Sequence, residues 1–411
     1  MKIRGIIPFK NYRFVFKKMA EQKKLSLYIH IPFCRTRCGY CDFNTYAGLQ
    51  GLIPAYVRAL NAEIAHFGQQ LQEEYYVHTI YFGGGTPSLL PANEIHSLIS
   101  GVENQFTIAS DAEISMEANP NGITLAYLDA IRKSGINRIS FGMQSAISEE
   151  LAILDRTHTL GDVERAVRFA KEAGIAQINL DLMFGIPQQT MRSLETSIEY
   201  AIGLEPQHLS VYGLSVHDGT ALAVKISTGA IEPIDEDLAG DMYAWLMERL
   251  PEAGYTQYEI SNWTATGGNP SVHNMQYWLN LDYVGIGAGA HSYLEADRWN
   301  NRPGVQEYIA GVMEINQADF FLNAVAERNA LSSSDIVKET MMMGLRLTQI
   351  GVNVYDFENR FLVNLETLYQ KEITRLQRLG LIEFFGDGRK RCLRLTTQGR
   401  MMGNQVFLEF I

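Results

Sequence analysis

Three cysteines with a spacing suited to metal binding lie near the start of the chain. Cys34, Cys38 and Cys41 follow the pattern C-x3-C-x2-C, after the apolar run Leu27–Ile31. Thiolates are soft ligands that hold iron–sulfur clusters. A structural zinc site is disfavoured because zinc prefers four closed ligands, and the distant Cys392 is expected to be a small buried residue. The cysteines therefore predict a 4Fe-4S cluster with one open iron, which the amino and carboxylate groups of a methionine-type ligand can chelate.

The segments that position this loop alternate between strand and helix patterns. Buried strands are predicted at Leu27–Ile31, Thr79–Phe82, Glu113–Glu117, Arg138–Phe141, Gln177–Met183 and His208–Tyr212. Helices are predicted at Ile53–Gln70, Asn93–Asn104, Thr124–Ser134, Leu160–Ala173 and Met191–Gly203. Repeated βα units require a parallel sheet with right-handed crossovers. The pattern predicts an α/β fold with a partial (β/α)6 barrel, whose reactive end is the C-terminal edge of its strands.

The rest of the chain departs from this alternation. We expect an N-terminal extension over 1–24, the partial barrel over 25–220, a barrel-closing or substrate-facing region over 221–330, and a smaller domain over 331–411. Helical patterns in this last region precede two short strands that flank the turn at Gly386–Gly388. Helices followed by a hairpin predict a C-terminal winged-helix-like α+β domain.

The composition narrows the classes of partner. A net charge of -11 at pH 7 disfavours nucleic acid, so the basic cluster Arg389–Arg391 is interpreted as a solvated turn. No apolar run has the length of a membrane span, and the lysine-rich start lacks the features of a secretory signal. Four cysteines outside a disulfide pattern favour a reducing compartment, and the cytoplasm is expected. Peripheral membrane contact and a homodimer stay open.

These motifs together resemble a known family. Tyr28–Cys34 and Cys41–Phe43 are similar to the radical S-adenosylmethionine superfamily, in its coproporphyrinogen dehydrogenase-like branch. The resemblance implies that Gly84, Gly85 and Thr86, in the glycine-rich stretch after the second strand, hold the methionyl amino group, and that Glu117 accepts hydrogen bonds from the ribose. It also implies S-adenosylmethionine contacts by Tyr28, Tyr40, Gln144, Arg156, Asp181 and Ser215. An Arg156–Asp181 ion pair without a ligand role is the alternative, and the number of bound nucleotides stays open.

Two further segments distinguish members of this branch. The dehydrogenases have a fourth cysteine, followed by Asn-Lys, where this chain has Phe43–Thr45. The chain resembles instead the HemW group of heme chaperones, whose H-N-x-x-Y-W signature matches His273–Trp278. This resemblance implies heme contacts by His273, Tyr277 and Trp278, with His273 a candidate axial ligand. A structural role for His273 is the alternative, and His217 and His291 stay candidates.

The expected function follows from the resemblance. The chain is predicted to be a heme chaperone that delivers heme to acceptor hemoproteins, with respiratory cytochromes expected, and that carries a 4Fe-4S cluster and S-adenosylmethionine. An electron donor is needed if radical chemistry occurs. The alternative is an enzyme, either an oxygen-independent coproporphyrinogen III dehydrogenase or another radical S-adenosylmethionine enzyme, although Phe43–Thr45 argues against dehydrogenase activity. A cluster-sensing transcription factor is disfavoured by the acidic charge.

Overall fold

The six strands predicted from the sequence are all present and run parallel. In this computed structural model the described residues are 22–233, 235–314 and 319–411. The predicted extension over 1–24 lies outside the described residues as far as residue 21, and Lys23 and Lys24 already belong to the first strand. The strands are β1 (Lys23–Ile31), β2 (Tyr75–Gly84), β3 (Ile108–Ala118), β4 (Arg138–Gln144), β5 (Gln177–Phe184) and β6 (His208–Gly213), each paired with the next.

Helices connect these strands near the predicted positions. They are α1 (Ile53–Leu71), α2 (Ala92–Gln105), α3 (Leu125–Lys133), α4 (Ser148–Ile153), α5 (Leu160–Glu172) and α6 (Met191–Gly203). Thr159 and Thr190 begin α5 and α6 with capping boxes, in which each threonine side chain accepts a hydrogen bond from the N–H of the third helical residue. Such caps satisfy N–H groups that would otherwise lack partners, and so fix where the two helices begin.

Each parallel strand has one apolar face and one polar face. In β1, Leu27 and Ile29 point into the main hydrophobic core, whereas Ser26, Tyr28 and His30 form side-chain hydrogen bonds on the opposite face. Successive side chains of a strand point to opposite sides of the sheet. The apolar sets pack against the helices, so the polar sets face the inside of the partial barrel and are available for a site.

The sheet is wider than the sequence pattern predicted. After two helices, α7 (Ala221–Ser227) and α8 (Glu236–Glu252), further strands follow around α9 (Val272–Trp278) and α10 (Val305–Met313). These strands are β7 (Tyr255–Glu259), β8 (Asn262–Ala265), β9 (Tyr283–Ile286), β10 (His291–Leu294), β11 (Asp297–Asn301) and β12 (Val325–Ala330). In the described part of the chain, twelve strands form one sheet in the order β12-β11-β10-β9-β1-β2-β3-β4-β5-β6-β8-β7. Among the added strands of the described ranges, β9 pairs in parallel with β1, and the other added pairs are antiparallel.

A buried carboxyl group fixes the added strands to α1. Glu63 on α1 is fully buried and accepts hydrogen bonds from the Gly287 N–H at 2.8 Å, the Asn301 amide at 2.7 Å and the Tyr308 hydroxyl at 2.5 Å. Burial raises the pKa of Glu63 to about 7. Asn44, in the segment after the cysteines, donates to the carbonyl of Ala288 at 3.0 Å. The loop after β9 is thus held on both sides, next to the cysteine segment.

The C-terminal region has its own hydrophobic core. Its helices are α11 (Ser333–Gly344), α12 (Val354–Phe361), α13 (Leu365–Leu368), α14 (Gln370–Arg378), α15 (Thr397–Met401) and α16 (Gly403–Leu408). The short strands β13 (Val352–Asn353), β14 (Ile382–Phe385) and β15 (Cys392–Leu395) form a separate antiparallel sheet. The predicted hairpin is therefore present. Within the described ranges, no helix combines the length and apolar content that a membrane crossing requires.

Candidate functional site

A cavity at the C-terminal edge of the parallel strands contains almost all the predicted cluster and nucleotide residues. This cavity, called the cluster cavity below, has a volume of about 500 Å³. The lining includes Cys34, Cys38, Cys41, Tyr40, Gly84, Gly85, Thr86, Glu117, Gln144, Arg156, Asp181 and Ser215. These residues come from the C-terminal parts of β2 to β5, from the segments that follow these strands and β6, and from the cysteine segment, so the fold brings together side chains that are far apart in sequence. This edge is where ligands bind in folds of this kind.

The cysteine loop is held by backbone contacts. Cys34 ends the two-residue strand Phe33–Cys34, which pairs with Tyr46–Ala47. Within the loop, the N–H of Cys41 donates to the carbonyl of Cys38 at 3.2 Å, and the N–H of Gly39 donates to Leu154 at 3.2 Å. These backbone contacts fix the path of the loop around its three cysteines, and a loop held in this way has less conformational entropy to lose when its side chains bind a ligand.

Each cysteine sulfur has a polar neighbour at hydrogen-bonding distance. The Thr86 hydroxyl donates to Cys34 Sγ at 3.6 Å, and Arg156 Nη1 donates to Cys38 Sγ at 3.5 Å. Cys41 Sγ lies 3.6 Å from the Thr45 hydroxyl. Hydrogen bonds and a nearby guanidinium stabilise thiolate, which is the form that ligates metal.

The sulfurs are arranged as separate donors. Among the described residues, no three His, Cys, Asp or Glu side chains converge on a point where one metal ion could sit. A cubane needs no such convergence, because each cysteine binds a different iron. Cys392 is buried on β15 with its thiol 3.5 Å from the Phe385 carbonyl, and it belongs to the lining of another cavity. The donor set in this cavity fits a cluster held by three thiolates.

The glycine-rich turn after β2 packs directly on the cysteine segment. The N–H groups of Gly85 and Thr86 donate to the carbonyls of Ile31 and Phe33 at 2.8 and 2.9 Å. Gly84 has φ +110°, and a Cβ there would clash with the ring of His30, so only glycine fits. Because the N–H of Gly84 also bonds within the protein, to Glu117, acceptors rather than backbone donors remain for a ligand amino group.

Two half-buried carboxyl groups, those of Glu117 and Asp181, line the cavity. Glu117 accepts hydrogen bonds from the Tyr81 hydroxyl at 2.8 Å and the Gly84 N–H at 3.0 Å, and burial raises its pKa to about 7. Asp181 accepts from the Ser140 hydroxyl at 2.7 Å, and burial raises its pKa as well. A carboxylate can accept about four hydrogen bonds, so each group has capacity left for ligand hydroxyls.

Two buried polar atoms on the cavity wall lack hydrogen-bond partners among the described residues, as expected where a polar ligand binds. Gln144 Oε1 and Arg156 Nε are buried and have no hydrogen-bond partner in the described residues. Gln144 also has φ 64°, a left-handed conformation that is uncommon for a residue with a side chain. Arg156 Nη2 donates to the carbonyl of Gly142 at 2.6 Å, and the described residues contain no direct Arg156–Asp181 ion pair. Buried unsatisfied groups and backbone strain concentrate at functional sites.

The segment His273–Trp278 lies away from the cysteines. It forms α9, and the N–H groups of Val272 and His273 donate to the carboxylate of Glu113 at 3.1 and 3.0 Å. Arg138 holds the same carboxylate at 2.8 Å. Glu113 lies in the middle of β3 and Arg138 begins β4, so α9 is fixed beside this part of the sheet, and none of its residues lines the cavity of the cysteines.

His273 is enclosed by hydrogen bonds and aromatic rings. It is 1% exposed, with Nδ1 2.9 Å from the Thr79 hydroxyl and Nε2 2.8 Å from the Tyr277 hydroxyl. Burial lowers its pKa to about 3. The Tyr81 ring stacks on it at 5.0 Å. Heme ligation by His273 stays a prediction, and it would require the ring to leave one of these hydrogen bonds.

The remaining predicted residues lie in four different places. Tyr28 is outside the lining of the cluster cavity, where its hydroxyl bonds His30 Nδ1 at 2.9 Å, behind Tyr81. Trp278 lines a different cavity beside the C-terminal domain. His217 lies at the cluster cavity, 3.4 Å from Asp42, and His291 is exposed at the start of β10.

Several cavity residues were not selected from the sequence. Tyr81, Ser140 and Tyr212 line the cavity with the predicted residues. Each lies on a parallel strand, an even number of positions from another inward-facing residue. Strict alternation along the strands would have identified them.

Comparison with known proteins agrees with this geometry. Residues 28–201 match the family model for the radical SAM superfamily, and residues 331–402 match the HemN C-terminal domain. The chain is 36% identical over 386 residues to a protein named heme chaperone HemW from Mycobacterium tuberculosis, spanning 92% of this chain and 93% of that one. It is 34% identical over 390 residues to another of that name from Lactococcus lactis subsp. lactis, spanning 95% and 98%.

A solved structure shares the fold. The solved structure of coproporphyrinogen III oxidase (HemN) from Escherichia coli, a radical SAM enzyme, matches with a TM-score of 0.81 at 24% identity, over 98% of this chain and 93% of that one. The similarity to the curated relatives extends over nearly the whole length of both chains, and the match to the radical SAM family model includes the cysteine loop. The chain therefore belongs to the HemW family of the radical S-adenosylmethionine superfamily.

Proposed function

We propose that this protein is a heme chaperone that binds heme and delivers it to acceptor hemoproteins, with respiratory cytochromes as the expected acceptors. The observation that carries the proposal is the similarity, over nearly the full length, to proteins named heme chaperone HemW. Phe43 agrees with it. This ring is 62% exposed at the edge of the cluster cavity, where the dehydrogenases resembled by the chain have a fourth cysteine.

The cluster cavity would hold a 4Fe-4S cluster and S-adenosylmethionine. When bound, the cluster supplies single electrons to the nucleotide. Cys34, Cys38 and Cys41 would ligate the cluster, and Arg156 would offset thiolate charge through its 3.5 Å contact with Cys38. The orphaned Gln144 Oε1 would accept a hydrogen bond from the nucleotide.

The other predicted contacts follow from the polarity of the wall. The carboxylates of Glu117 and Asp181 can accept further hydrogen bonds from ribose hydroxyls. Gly84, Gly85 and Thr86 would accept hydrogen bonds from the amino group of the nucleotide's methionyl part. Tyr40 and Ser215 line the same cavity. Tyr28 would act indirectly, because it lies behind Tyr81. We also propose a cytoplasmic location, where reduction keeps these thiols free, and domain boundaries at residues 220 and 330, with the first boundary at residue 22 because β1 begins at Lys23.

Anaerobic heme transfer tests this function. Reconstituted protein is loaded with hemin and mixed with a heme-free respiratory cytochrome, and the acceptor spectrum is followed. We expect transfer to the acceptor, and no protoporphyrinogen when the same protein is incubated with coproporphyrinogen III, S-adenosylmethionine and an electron donor. Formation of protoporphyrinogen, or failure to bind hemin, would overturn the proposal.

A binding test examines the nucleotide part separately. Calorimetric titration of the reconstituted protein with S-adenosylmethionine should show weaker binding for Arg156→Gln than for the wild type. Arg165→Gln is the matched control, because Arg165 is outside the cavity lining and lies in the first turns of α5. Equal affinity of Arg156→Gln and wild type would remove Arg156 from the nucleotide site.

A further inference from the structure

A second cavity lies between α9 and the C-terminal domain. Its volume is about 650 Å³, within the range of sites that hold small molecules and cofactors. Most of its wall is apolar. The apolar lining includes Trp278, Leu279, Leu281, Ile350, Phe357 and Phe385. Neither the cluster nor the nucleotide uses this cavity, since none of the cysteine-loop residues lines it.

The wall is exposed in a way that favours an external ligand. Leu281, Ile350 and Phe385 are 37%, 48% and 53% exposed, although all three line one concavity. Contiguous exposed apolar surface marks binding sites. Trp278 Nε1 is buried and lacks a hydrogen-bond partner in the described residues, so the same wall also has a free donor.

The charges at the cavity favour an anion. Arg360 and Lys390 line it together with one acid, Asp356, on a chain whose net charge is -11. Arg360 is fixed in place, because its Nη2 donates to the carbonyl of Asn280 at 2.9 Å. A guanidinium held by a neutral carbonyl keeps its charge for a ligand carboxylate.

We propose that this cavity binds a porphyrin, with the ring against Trp278, Ile350 and Phe385 and the propionates toward Arg360 and Lys390. The proposal rests on the proposed function and locates its cargo. A flat apolar dianion matches both the apolar wall and the cationic edge. The site also explains how the H-N-x-x-Y-W helix contributes to binding while His273 stays enclosed, because Trp278 at the end of α9 is its residue on this wall.

Hemin titration of the full-length reconstituted protein, followed by Soret absorbance, tests the location. Ile350→Asp places a carboxylate on the exposed apolar wall and should weaken hemin binding by about tenfold or more, through lost apolar contact and repulsion of the propionates. Leu408→Asp is the matched control, since Leu408 is 69% exposed and outside the lining. Its affinity should match the wild type. Cluster absorbance and circular dichroism check that both variants are folded.

A charge reversal gives an independent measurement. Lys390→Glu should weaken hemin binding, whereas Arg389→Glu, at a neighbour whose guanidinium lies over Tyr355 and outside the lining, should not. Zinc protoporphyrin should show the same pattern, because recognition involves the ring and the carboxylates. Unchanged affinity in Ile350→Asp and Lys390→Glu, with hemin bound by the wild type, would overturn this location and leave the chaperone function standing. A wild type that binds no hemin would overturn both.

Discussion

Replacing Glu63 by Gln should remove a pH-dependent loss of stability. Burial raises the pKa of Glu63 from 4.5 to about 7, against the hydrogen bonds from Tyr308, Asn301 and Gly287. The folded chain therefore binds this proton more tightly than the unfolded chain, so the free energy of unfolding falls as pH rises from 4.5 through 7. Between these two values, at about 1.36 kcal/mol for each pH unit, the loss is about 3 kcal/mol. The stabilisation by the protonated Glu63 carboxyl group is fully present below pH 4.5 and is lost above about pH 7.

Urea unfolding at pH 5 and pH 8, at fixed ionic strength, measures this loss. From pH 5 to pH 8 the wild type should lose about 2–3 kcal/mol more unfolding free energy than Glu63→Gln. Glu103→Gln, at an exposed glutamate, controls for the loss of charge. Tyr308→Phe removes a hydrogen bond that lowers the pKa of Glu63, so the loss should extend to higher pH. Equal differences at pH 5 and pH 8 would show that Glu63 does not hold a raised pKa in the fold.

Three substitutions test other parts of the molecule. Cys38→Ala should abolish the brown cluster absorbance after anaerobic reconstitution, whereas Cys392→Ala should keep it; unchanged iron in the first variant would refute the ligand assignment. Gly84→Ala should lower the unfolding free energy by at least about 2 kcal/mol, against about 1 kcal/mol for Gly122→Ala, where φ is also positive but no atom is nearby; equal losses in urea unfolding would contradict the clash. His273→Ala should lower it by about 2–4 kcal/mol because two buried hydrogen bonds and a packed ring are lost, and a stability within error of the wild type would show that the ring is not held as described.

Local periodicity predicted the six parallel strands, but not the width of the sheet. β9 pairs with β1 across a long stretch of sequence, and its four residues carry no signal of that partner. The helical pattern of the C-terminal region is divided into separate helices, because the Asn364 side chain accepts a hydrogen bond from the Thr367 N–H at 2.8 Å and begins α13. Such long-range pairing and local capping compete with propensity in ways that a pattern search does not weigh.

The candidate site, like the fold, could be predicted from the sequence only in part. The cysteine spacing predicted the cluster loop, whereas the other predicted residues that line the same cavity were implied by the resemblance to the radical S-adenosylmethionine superfamily. The position of His273 was not predictable, because it depends on Glu113 receiving the start of α9 across 160 positions of sequence. Four residues of separation placed His273 and Tyr277 on one face of a helix, and their 2.8 Å hydrogen bond bears this out, but spacing does not reveal which end of the barrel that face occupies.

The turn after β2 is bonded to the backbone of the cysteine segment through Gly85 and Thr86, so two walls of the same cavity are mechanically coupled. If the proposed cluster is bound, its loss on exposure to air should loosen the cysteine segment and, with it, the glycine-rich turn that would receive the nucleotide. Handling under strict anoxia would then protect both binding surfaces at once.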